Sequence, residues 1–202
     1  MIPSITSEER EHIARGLHEK YAAVAVNPVG QFNYPTGRQG LDALGYDRAL
    51  TSKLPDEAAA FYCGVGNPFA LGEIHPGERV LDVGCGAGVD TILAGIIAGP
   101  NGTAVGVDIV PEMIARAESN LKAAAVANVT FQTASGENLP FADNAFDVVI
   151  SNGAINLIPD KEAALSEIAR VLKPAGRLML ADQVAAAAIE KDFKARLANW
   201  FQ

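Results

Sequence analysis

From Glu78 onward the chain alternates short apolar runs with longer amphipathic segments, and this pattern restricts the fold more than any other feature. The apolar runs are "RVLDVG", "TAVGVDI", "NVTFQTAS", "FDVVISN" and "RLMLADQV". Several of these runs are separated by segments whose apolar residues have helical spacing: "VDTILAGIIAG", "PEMIARAESNLKAA" and "PDKEAALSEIARVLKPAG". Strands that alternate with helices of this length predict βαβ units and a parallel sheet.

The strands also indicate how the sheet is covered. Runs such as "DVVIS" and "LMLA" are apolar on both faces, as expected of strands with helices on each side. With right-handed crossovers, the predicted fold class is α/β, a doubly wound and mostly parallel sheet. In such a sheet a ligand binds at the carboxyl ends of the strands, near the point where the strand order reverses.

The first part of the chain has a different character. Residues 6–26 are predicted to form an amphipathic helix, because Thr6 and Glu9 fit a capping box. The predicted inward face of this helix is Ile13, Leu17, Tyr21 and Val24. Residues 27–40 are predicted to form a loop, and a short helix is expected at residues 56–62. We therefore expect an N-terminal helical and loop cap over residues 1–70 and an α/β domain over residues 71–202.

Apolar spacing predicts the inward faces of three later helices. These faces are Ile114, Ala117 and Leu121; Leu165, Ile168 and Leu172; and Ile189, Phe193, Leu197 and Trp200 in a C-terminal helix.

Composition and charge exclude several classes of partner and site. The net charge of −8 argues against binding to nucleic acid or to an anionic membrane, because both need a basic face. The two cysteines, Cys63 and Cys85, form no CxxC or Cys/His spacing, so no metal site is expected. The N-terminus lacks the features of a signal peptide and no run approaches the length of a membrane span, so a reducing cytoplasm is the expected location.

The stretch "LDVGCGAGVDT", residues 81–91, contains three glycines within five positions: Gly84, Gly86 and Gly88. They follow the first strand directly, at its carboxyl end. The spacing is GxGxG, and Val89 stands where the dinucleotide fingerprint GxGxxG has its third glycine. We favour a loop that lets a ligand without a pyrophosphate approach the backbone. The alternative is a tight turn with packing glycines.

Two aspartates flank this loop in the predicted sheet. Asp108 ends the second strand, where an acidic side chain is placed to accept hydrogen bonds from the hydroxyls of a ribose. A capping role is less favoured, because Pro111 at the first helical position makes Val110 the cap. Asp82 lies within the first strand, so its carboxylate must be satisfied, either by loop amides or by an ammonium group of the ligand.

Four segments carry a resemblance to a known family: "ERVLDVGCGAGVDT", "GTAVGVDIVPEMIARA", "ENLPFADNAFDVVISN" and "RVLKPAGRLMLAD". Together, over residues 78–184, they resemble a class I S-adenosylmethionine-dependent methyltransferase. Within that class, "GNP" at residues 66–68 and "ISNGAINLIPDK" at residues 150–161 are most similar to the arsenite methyltransferase-like group.

The resemblance implies S-adenosyl-L-methionine as cofactor and assigns roles to particular residues. Gly84, Cys85 and Gly86 would line its methionine part, and Asp108 would bind its ribose. Adenine would lie against Ile109 and Met113, near Ser135 and Gly136, although the class usually has an acidic residue at the serine position. The residues expected near the transferred methyl group are Asn152 and Gly153 at the end of the fourth strand, with Tyr21 and Tyr34 as aromatic candidates.

Such a site needs neither a metal nor a covalent nucleophile. Methyl transfer from a sulfonium is an in-line displacement, for which the protein mainly aligns donor and acceptor and excludes water. Aromatic rings such as Tyr21, Tyr34 or Phe61 are expected either to face the sulfonium or to pack the N-terminal segment on the core.

Two features depart from the resembling group. Its members hold arsenic with several thiolates, one of them at the position of Gly153, whereas only Cys63 lies outside the cofactor loop here. Arsenite is therefore not the expected acceptor, because one thiol cannot form a multidentate site. The class also closes its sheet with two further strands. Their apparent absence leaves strand five as an expected edge. Either the last helix or a second subunit covers it, or this chain is a shortened version of a longer enzyme.

The expected function is therefore methyl transfer to a small-molecule acceptor, with a homodimer through the C-terminal region as a hypothesis. An alternative is a cofactor-binding protein that has lost catalysis together with the last two strands. A nicotinamide-dependent oxidoreductase is disfavoured by Val89 and by the segment "ENLPF".

Overall fold

The computed structural model describes residues 5–184 of the 202-residue chain. The predicted C-terminal helix, with Ile189, Phe193, Leu197 and Trp200, lies outside the described residues. The hypothesis of a homodimer through that region therefore stays a prediction.

Five strands form one parallel sheet in the order β3-β2-β1-β4-β5. The order reverses between β1 and β4, so the predicted doubly wound parallel sheet is confirmed. The strands are β1 (Arg79–Val83), β2 (Thr103–Asp108), β3 (Val129–Thr133), β4 (Phe146–Asn152) and β5 (Leu172–Ala181).

Seven α-helices and two short 3₁₀ turns surround this sheet within residues 5–184. Four helices precede the sheet: α1 (Ser7–Val26), α2 (Gly37–Ala43), α3 (Arg48–Thr51) and α4 (Asp56–Ala59). Three connect its strands: α5 (Val89–Ala98), α6 (Pro111–Ala124) and α7 (Lys161–Val171). The 3₁₀ turns are Pro68–Ala70 and Ile155–Leu157.

Successive residues of β1 face opposite layers, which divides the core. Val80 packs with Ala94 of α5 on one side, together with Ile150 and Met179. The other side contains Leu81, Val149, Phe146 and the α7 residue Ile168. Strands covered on both faces explain the apolar runs seen in the sequence.

The helix starts follow the sequence signals. Thr6 and Glu9 form the predicted capping box of α1, with each side chain accepting from the backbone N–H of the other. Val110 is the N-cap of α6 and Pro111 its first residue, as expected. Both starts are therefore determined locally.

Two boundaries differ from the prediction. Helix α2 begins at Gly37, inside the predicted loop, where the Gly37 N–H donates to the Tyr62 carbonyl at 2.7 Å. Strand β5 begins at Leu172, directly after α7, because the predicted Pro-Gly stop forms an irregular part of the strand. Its register with β4 shifts accordingly, from Phe146 opposite Leu172 to Val148 opposite Arg177.

The predicted inward face of α7 is wrong at one position. Leu165 is 43% exposed, whereas Ala164 and Ile168 are buried. Residues spaced by four and three along a helix share a face, so Ala164, Ile168 and Val171 form the buried stripe and Leu165 lies beside it.

A membrane-crossing helix is not found between residues 5 and 184, where no helix combines the required length with the required apolarity.

We predict a large difference in stability between two leucine truncations. Leu81→Ala removes a fully buried side chain from the sheet core and is expected to lower the free energy of unfolding by about 2–5 kcal/mol. Leu165→Ala, its matched control on exposed α7 surface, is expected to cost less than about 1 kcal/mol. Urea unfolding followed by circular dichroism measures both values, and equal losses would contradict the buried stripe described above.

Candidate functional site

A cavity of about 300 Å³ lies at the carboxyl ends of β1, β2 and β4, where the strand order reverses. Its floor comes from the sheet and from the loops that leave it, and its roof comes from α1. Most of the lining is apolar. Its polar side chains are those of Arg10, Tyr21, Asp108, Ser135, Glu137 and Asn152.

Helix α1 lies over this cavity and is attached at both ends. The Arg10 Nη1 group donates to both oxygens of the Glu137 carboxylate, at 2.8 and 2.9 Å. At the other end, Arg116 of α6 donates to the Ala25 carbonyl at 2.8 Å. Leu17 and Tyr21 of α1 line the cavity between these two attachments.

The glycine loop connects β1 to α5 through three residues in the left-handed region. Gly84, Gly86 and Gly88 have φ angles of +75°, +52° and +80°. The loop folds onto β2, since the Gly84 and Cys85 N–H groups both donate to the Val107 carbonyl. The backbone conformation by itself therefore favours glycine at these three positions.

The protein's own packing also requires two of these glycines. A Cβ at Gly88 would lie 2.5 Å from the Phe131 ring and 2.9 Å from the Ala117 methyl, and one at Gly84 would overlap the Ala154 methyl. The tight turn with packing glycines, left as the less favoured alternative above, thus accounts for Gly84 and Gly88. A Cβ at Gly86 meets only the end of Met113, at 3.2 Å.

Asp108 lies at the end of β2 and lines the larger cavity. Its two carboxylate oxygens accept from the N–H groups of Val110 and Gly86, both at 2.9 Å. Asp108 therefore has local partners that the sequence did not reveal. A carboxylate has about four acceptor positions, so capacity remains toward the cavity. Burial raises the pKa of Asp108, and the backbone N–H donors oppose that rise.

A second cavity, of about 40 Å³, adjoins the first behind the glycine loop. Its lining shares Cys63, Gly84, Gly86 and Asn152 with the larger cavity. Two carboxyl groups also line it, those of Asp82 and Asp90. The smaller cavity is therefore acidic.

Burial raises the pKa of Asp90 to about 6, against the hydrogen bonds from Asn152 and Tyr46. Burial and the neighbouring Asp90 charge raise the pKa of Asp82 well above its ordinary range. Asp82 accepts from the Thr91 hydroxyl at 2.6 Å, a partner that neither alternative of the sequence analysis named.

Asp90 is the centre of a buried polar network that sequence analysis missed. It accepts from the Tyr46 hydroxyl at 2.8 Å and from the Asn152 amide at 2.9 Å. Tyr62 donates to the Gly66 carbonyl at 2.8 Å and lies 3.1 Å from the Tyr46 hydroxyl. The available signal was an acid two residues after the last glycine, at the start of the strongly apolar helix α5.

The residues predicted from sequence fall into three groups. Those lining the larger cavity are Tyr21, Gly84, Gly86, Asp108, Ile109, Ser135, Gly136, Asn152 and Gly153. Asp82 and Cys85 line the smaller one, as does Phe61. Gly88, Met113 and Tyr34 line neither: Met113 is buried among Val24, Ala25 and Val110, and Tyr34 donates to the Cys63 carbonyl at 3.0 Å.

Arg10 and Glu137 are further lining residues that the sequence analysis did not single out. Glu137 stands two residues after Ser135, and its carboxylate also accepts from the Asp160 N–H at 2.8 Å. An arginine in the first turns of an exposed helix gives no signal by itself, because its partner is 127 positions away.

The thiol and the phenol that line the larger cavity are not ionised. Burial raises the pKa of the Cys63 thiol to about 12 and raises that of the Tyr21 hydroxyl, so both groups are neutral near pH 7. Among residues 5–184, no group of three or more His, Cys, Asp or Glu side chains is arranged to hold a metal ion. The arrangement is suited to binding and aligning molecules.

Comparison with known proteins gives a consistent result. The family model described as a methyltransferase domain matches residues 74–202. The arsenite methyltransferase of Halobacterium salinarum is 41% identical over 93% of this chain and 51% of its own length. A ubiquinone/menaquinone biosynthesis C-methyltransferase of Ectopseudomonas mendocina is 42% identical over 54% of this chain and 43% of its own.

A solved structure supports the same family. The crystal structure of an arsenic(III) S-adenosylmethionine methyltransferase from Chlamydomonas reinhardtii aligns with a TM-score of 0.56 and 34% identity, over 74% of this chain and 50% of that one. The chain spans about half the length of the curated relatives it matches. These named relatives are methyltransferases, which does not favour the alternative of a cofactor-binding protein without catalysis.

We predict that the loop glycines matter even without a ligand. Gly88→Ala combines an unfavourable positive φ with contacts to Phe131 and Ala117, and should destabilise the ligand-free protein by more than about 2 kcal/mol. Gly45→Ala is the matched control, because Gly45 has a φ of +73° but open space around it, and should cost about 1 kcal/mol. Thermal unfolding of the purified variants compares them, and equal costs would exclude a packing role for Gly88.

Proposed function

We propose that this chain, which belongs to the family of class I methyltransferase domains, transfers a methyl group from S-adenosyl-L-methionine to a small-molecule acceptor. The observation that carries the proposal is the cavity at the strand ends, which places the Asp108 carboxylate and the turn at Gly84 and Gly86 around one space. Its volume of about 300 Å³ lies in the range of small-molecule sites.

The residues present fit such a cofactor. The remaining acceptor positions of Asp108 suit the hydroxyls of a ribose, and the apolar wall around Ile109 and Val110 suits an adenine ring. Ser135 and Gly136 complete that end of the cavity. The acidic smaller cavity suits an ammonium group, because a cation would stabilise the ionised forms of Asp82 and Asp90.

We further propose that the first 70 residues form a cap over an α/β domain that spans residues 71–202. This cap supplies the roof of the larger cavity through Leu17 and Tyr21. It also supplies Cys63, between the two cavities. A cap of this kind separates the reacting groups from water.

The proposed reaction is an in-line displacement. When bound, S-adenosyl-L-methionine supplies an electrophilic methyl group on a sulfonium, which is left as a neutral thioether. The contribution of this chain is alignment: Asp108 and the glycine loop fix one end, while the neutral Tyr21 ring provides an aromatic surface suited to a sulfonium. Neither Cys63 nor Tyr21 is ionised near pH 7, so neither serves as a base.

We propose the class of methyl acceptor from the names of the relatives, and we narrow it by the number of accessible thiols. Arsenite and quinone precursors are the acceptors that the names of the relatives indicate. Within the described residues, Cys63 is half-buried and Cys85 is buried in the glycine loop, with its Sγ 3.7 Å from the Gly86 carbonyl. We therefore expect this region to offer arsenite at most one accessible thiol, which favours an organic acceptor.

We expect Asp108→Asn to weaken binding of S-adenosylhomocysteine, the product form of the cofactor, by about tenfold or more. The change removes a charged acceptor, and charge-assisted hydrogen bonds contribute about 1.5–3 kcal/mol. Asp143→Asn, on the surface beside Arg170, is the matched control and should leave the affinity unchanged. Titration calorimetry measures both, and an unchanged affinity for Asp108→Asn would remove this residue from the site.

The acceptor is tested by incubating the protein with methyl-labelled S-adenosylmethionine and separate acceptors: arsenite, a demethylated quinol and a small-molecule extract. We expect label in an organic product and none in arsenite. Methylated arsenic would overturn the restriction drawn from the thiols. Absence of transfer to every acceptor, with S-adenosylhomocysteine bound, would leave the binding site standing and contradict the proposed activity.

A further inference from the structure

Residues 63–66, here called the strap, cross the carboxyl end of β4 and form part of the wall of the smaller cavity. Asn152, the last residue of β4, binds the strap, since its side-chain oxygen accepts hydrogen bonds from the N–H groups of Val65 and Gly66 at 2.9 and 3.0 Å. The amide nitrogen has two hydrogens, and its two shortest contacts are the Gly66 carbonyl and the Asp90 carboxylate, both at 2.9 Å.

The glycines around Asn152 show how closely these parts fit. A Cβ at Gly64 would overlap the Asn152 amide, and one at Gly153 would lie 3.1 Å from the Val65 side chain. The Asn152 amide is therefore enclosed by the strap, and its hydrogen-bonding capacity is filled by protein groups. A side chain occupied in this way is poorly placed to act on an acceptor molecule.

We propose that Asn152 and Tyr46 are positioning residues that hold the Asp90 carboxylate and the strap in place, so that the smaller cavity recognises the amino-acid end of the cofactor. This inference rests on the proposed function and deepens it. It reassigns Asn152, which sequence analysis placed near the transferred methyl group.

The size and charge of the smaller cavity support the assignment. Its volume of about 40 Å³ exceeds the ~10–15 Å³ that one water molecule needs, so an ammonium group fits. Asp82 and Asp90 face it from β1 and from the first turn of α5. The other titratable groups around Asp90 are Tyr46, Tyr62 and Cys63, all neutral near pH 7 because burial raises the pKa of each.

Tyr46 does not line this cavity itself and reaches it through Asp90 and through the Asn152 amide, which donates to the Tyr46 hydroxyl at 3.1 Å. Its hydroxyl donates to the carboxylate, while its ring packs against Tyr62 and Phe69 at centroid distances of 5.3 and 5.8 Å. Tyr46→Phe therefore keeps the ring packing and removes one donor from the ionised carboxylate. The pKa of Asp90 should rise further above its present value of about 6.

Two ligands separate the amino-acid end from the rest of the cofactor. S-adenosylhomocysteine carries the amino-acid end, whereas 5′-methylthioadenosine has the same nucleoside and thioether without it. We expect the wild-type chain to prefer S-adenosylhomocysteine, and Asn152→Leu to reduce that preference about tenfold, the loss of one charge-assisted contact. Affinity for 5′-methylthioadenosine should change little. Titration calorimetry at pH 7.5 measures both ligands.

The pH dependence of ligand affinity distinguishes the two roles, because a purely structural role of Asn152 and Tyr46 would not change it. An ammonium group binds the ionised carboxylate, so affinity for S-adenosylhomocysteine should fall as the pH falls through about 6. Affinity for 5′-methylthioadenosine should stay level over the same range. Tyr46→Phe should move the midpoint for S-adenosylhomocysteine to higher pH, since it raises the pKa of Asp90.

Asn128→Leu is the matched control for Asn152→Leu. The Asn128 amide donates to the carbonyls of Gly95, Gly99 and Gly102, away from both cavities, so its loss should lower the thermal midpoint without changing the ligand preference. If Asn152→Leu does not fold, Tyr46→Phe gives the decisive measurement, because it keeps the packing of the wild type.

The outcomes distinguish this inference from the proposed function. Unchanged preference in Asn152→Leu and an unmoved pH midpoint in Tyr46→Phe would overturn the positioning role, while wild-type binding of both ligands would leave the proposed cofactor intact. Binding of neither ligand by the wild type would overturn the proposed function, and this inference with it.

Discussion

Parallel pairing of β1 with both β2 and β4 is the constraint on which the rest of the structure depends. It brings the ends of three strands to one edge, where Asp108, the glycine loop and Asn152 meet although they are far apart in sequence. Because the order reverses at β1, the loops leave this edge toward opposite faces and open a crevice between them. The position of the cavity is thus a consequence of topology, and its chemistry comes from the residues placed there.

That chemistry is dominated by carboxyl groups whose ionisation the fold opposes. Burial raises the pKa of Asp82, Asp90 and Asp108, so each ionised form is less stable in the ligand-free protein than in the unfolded chain. A raised folded-state pKa gives stability that is present at low pH and is lost as the pH rises through it, near pH 6 for Asp90. A bound cation would offset this cost, which is a physical reason for such a site to select a positively charged ligand.

Sequence reasoning was accurate where one local or periodic signal decides the outcome. The capping box of α1, Pro111 at the start of α6 and the five strands follow from patterns within a few residues. It was less accurate where tertiary contacts determine the burial or the hydrogen-bond partner of a side chain. Leu165 lies one position beside the buried stripe of α7. One partner of Asp108, Gly86, and both side-chain partners of Asp90 come from other parts of the chain. No spacing rule predicts that Tyr46 reaches Asp90 across 44 positions.

The glycine loop shows why a motif identifies a family better than it explains a site. Two of its three glycines are needed because Ala154 after β4, Phe131 of β3 and Ala117 of α6 pack closely around them, a requirement that does not depend on the ligand. In our proposal, the features that distinguish ligands lie beside the motif, in the acidic cavity behind it and in the α1 residues that line the larger cavity. Asn152 links the two, since one amide fixes both the strap and Asp90. In our proposal, recognition of the cofactor and placement of the strap therefore depend on the same hydrogen bonds.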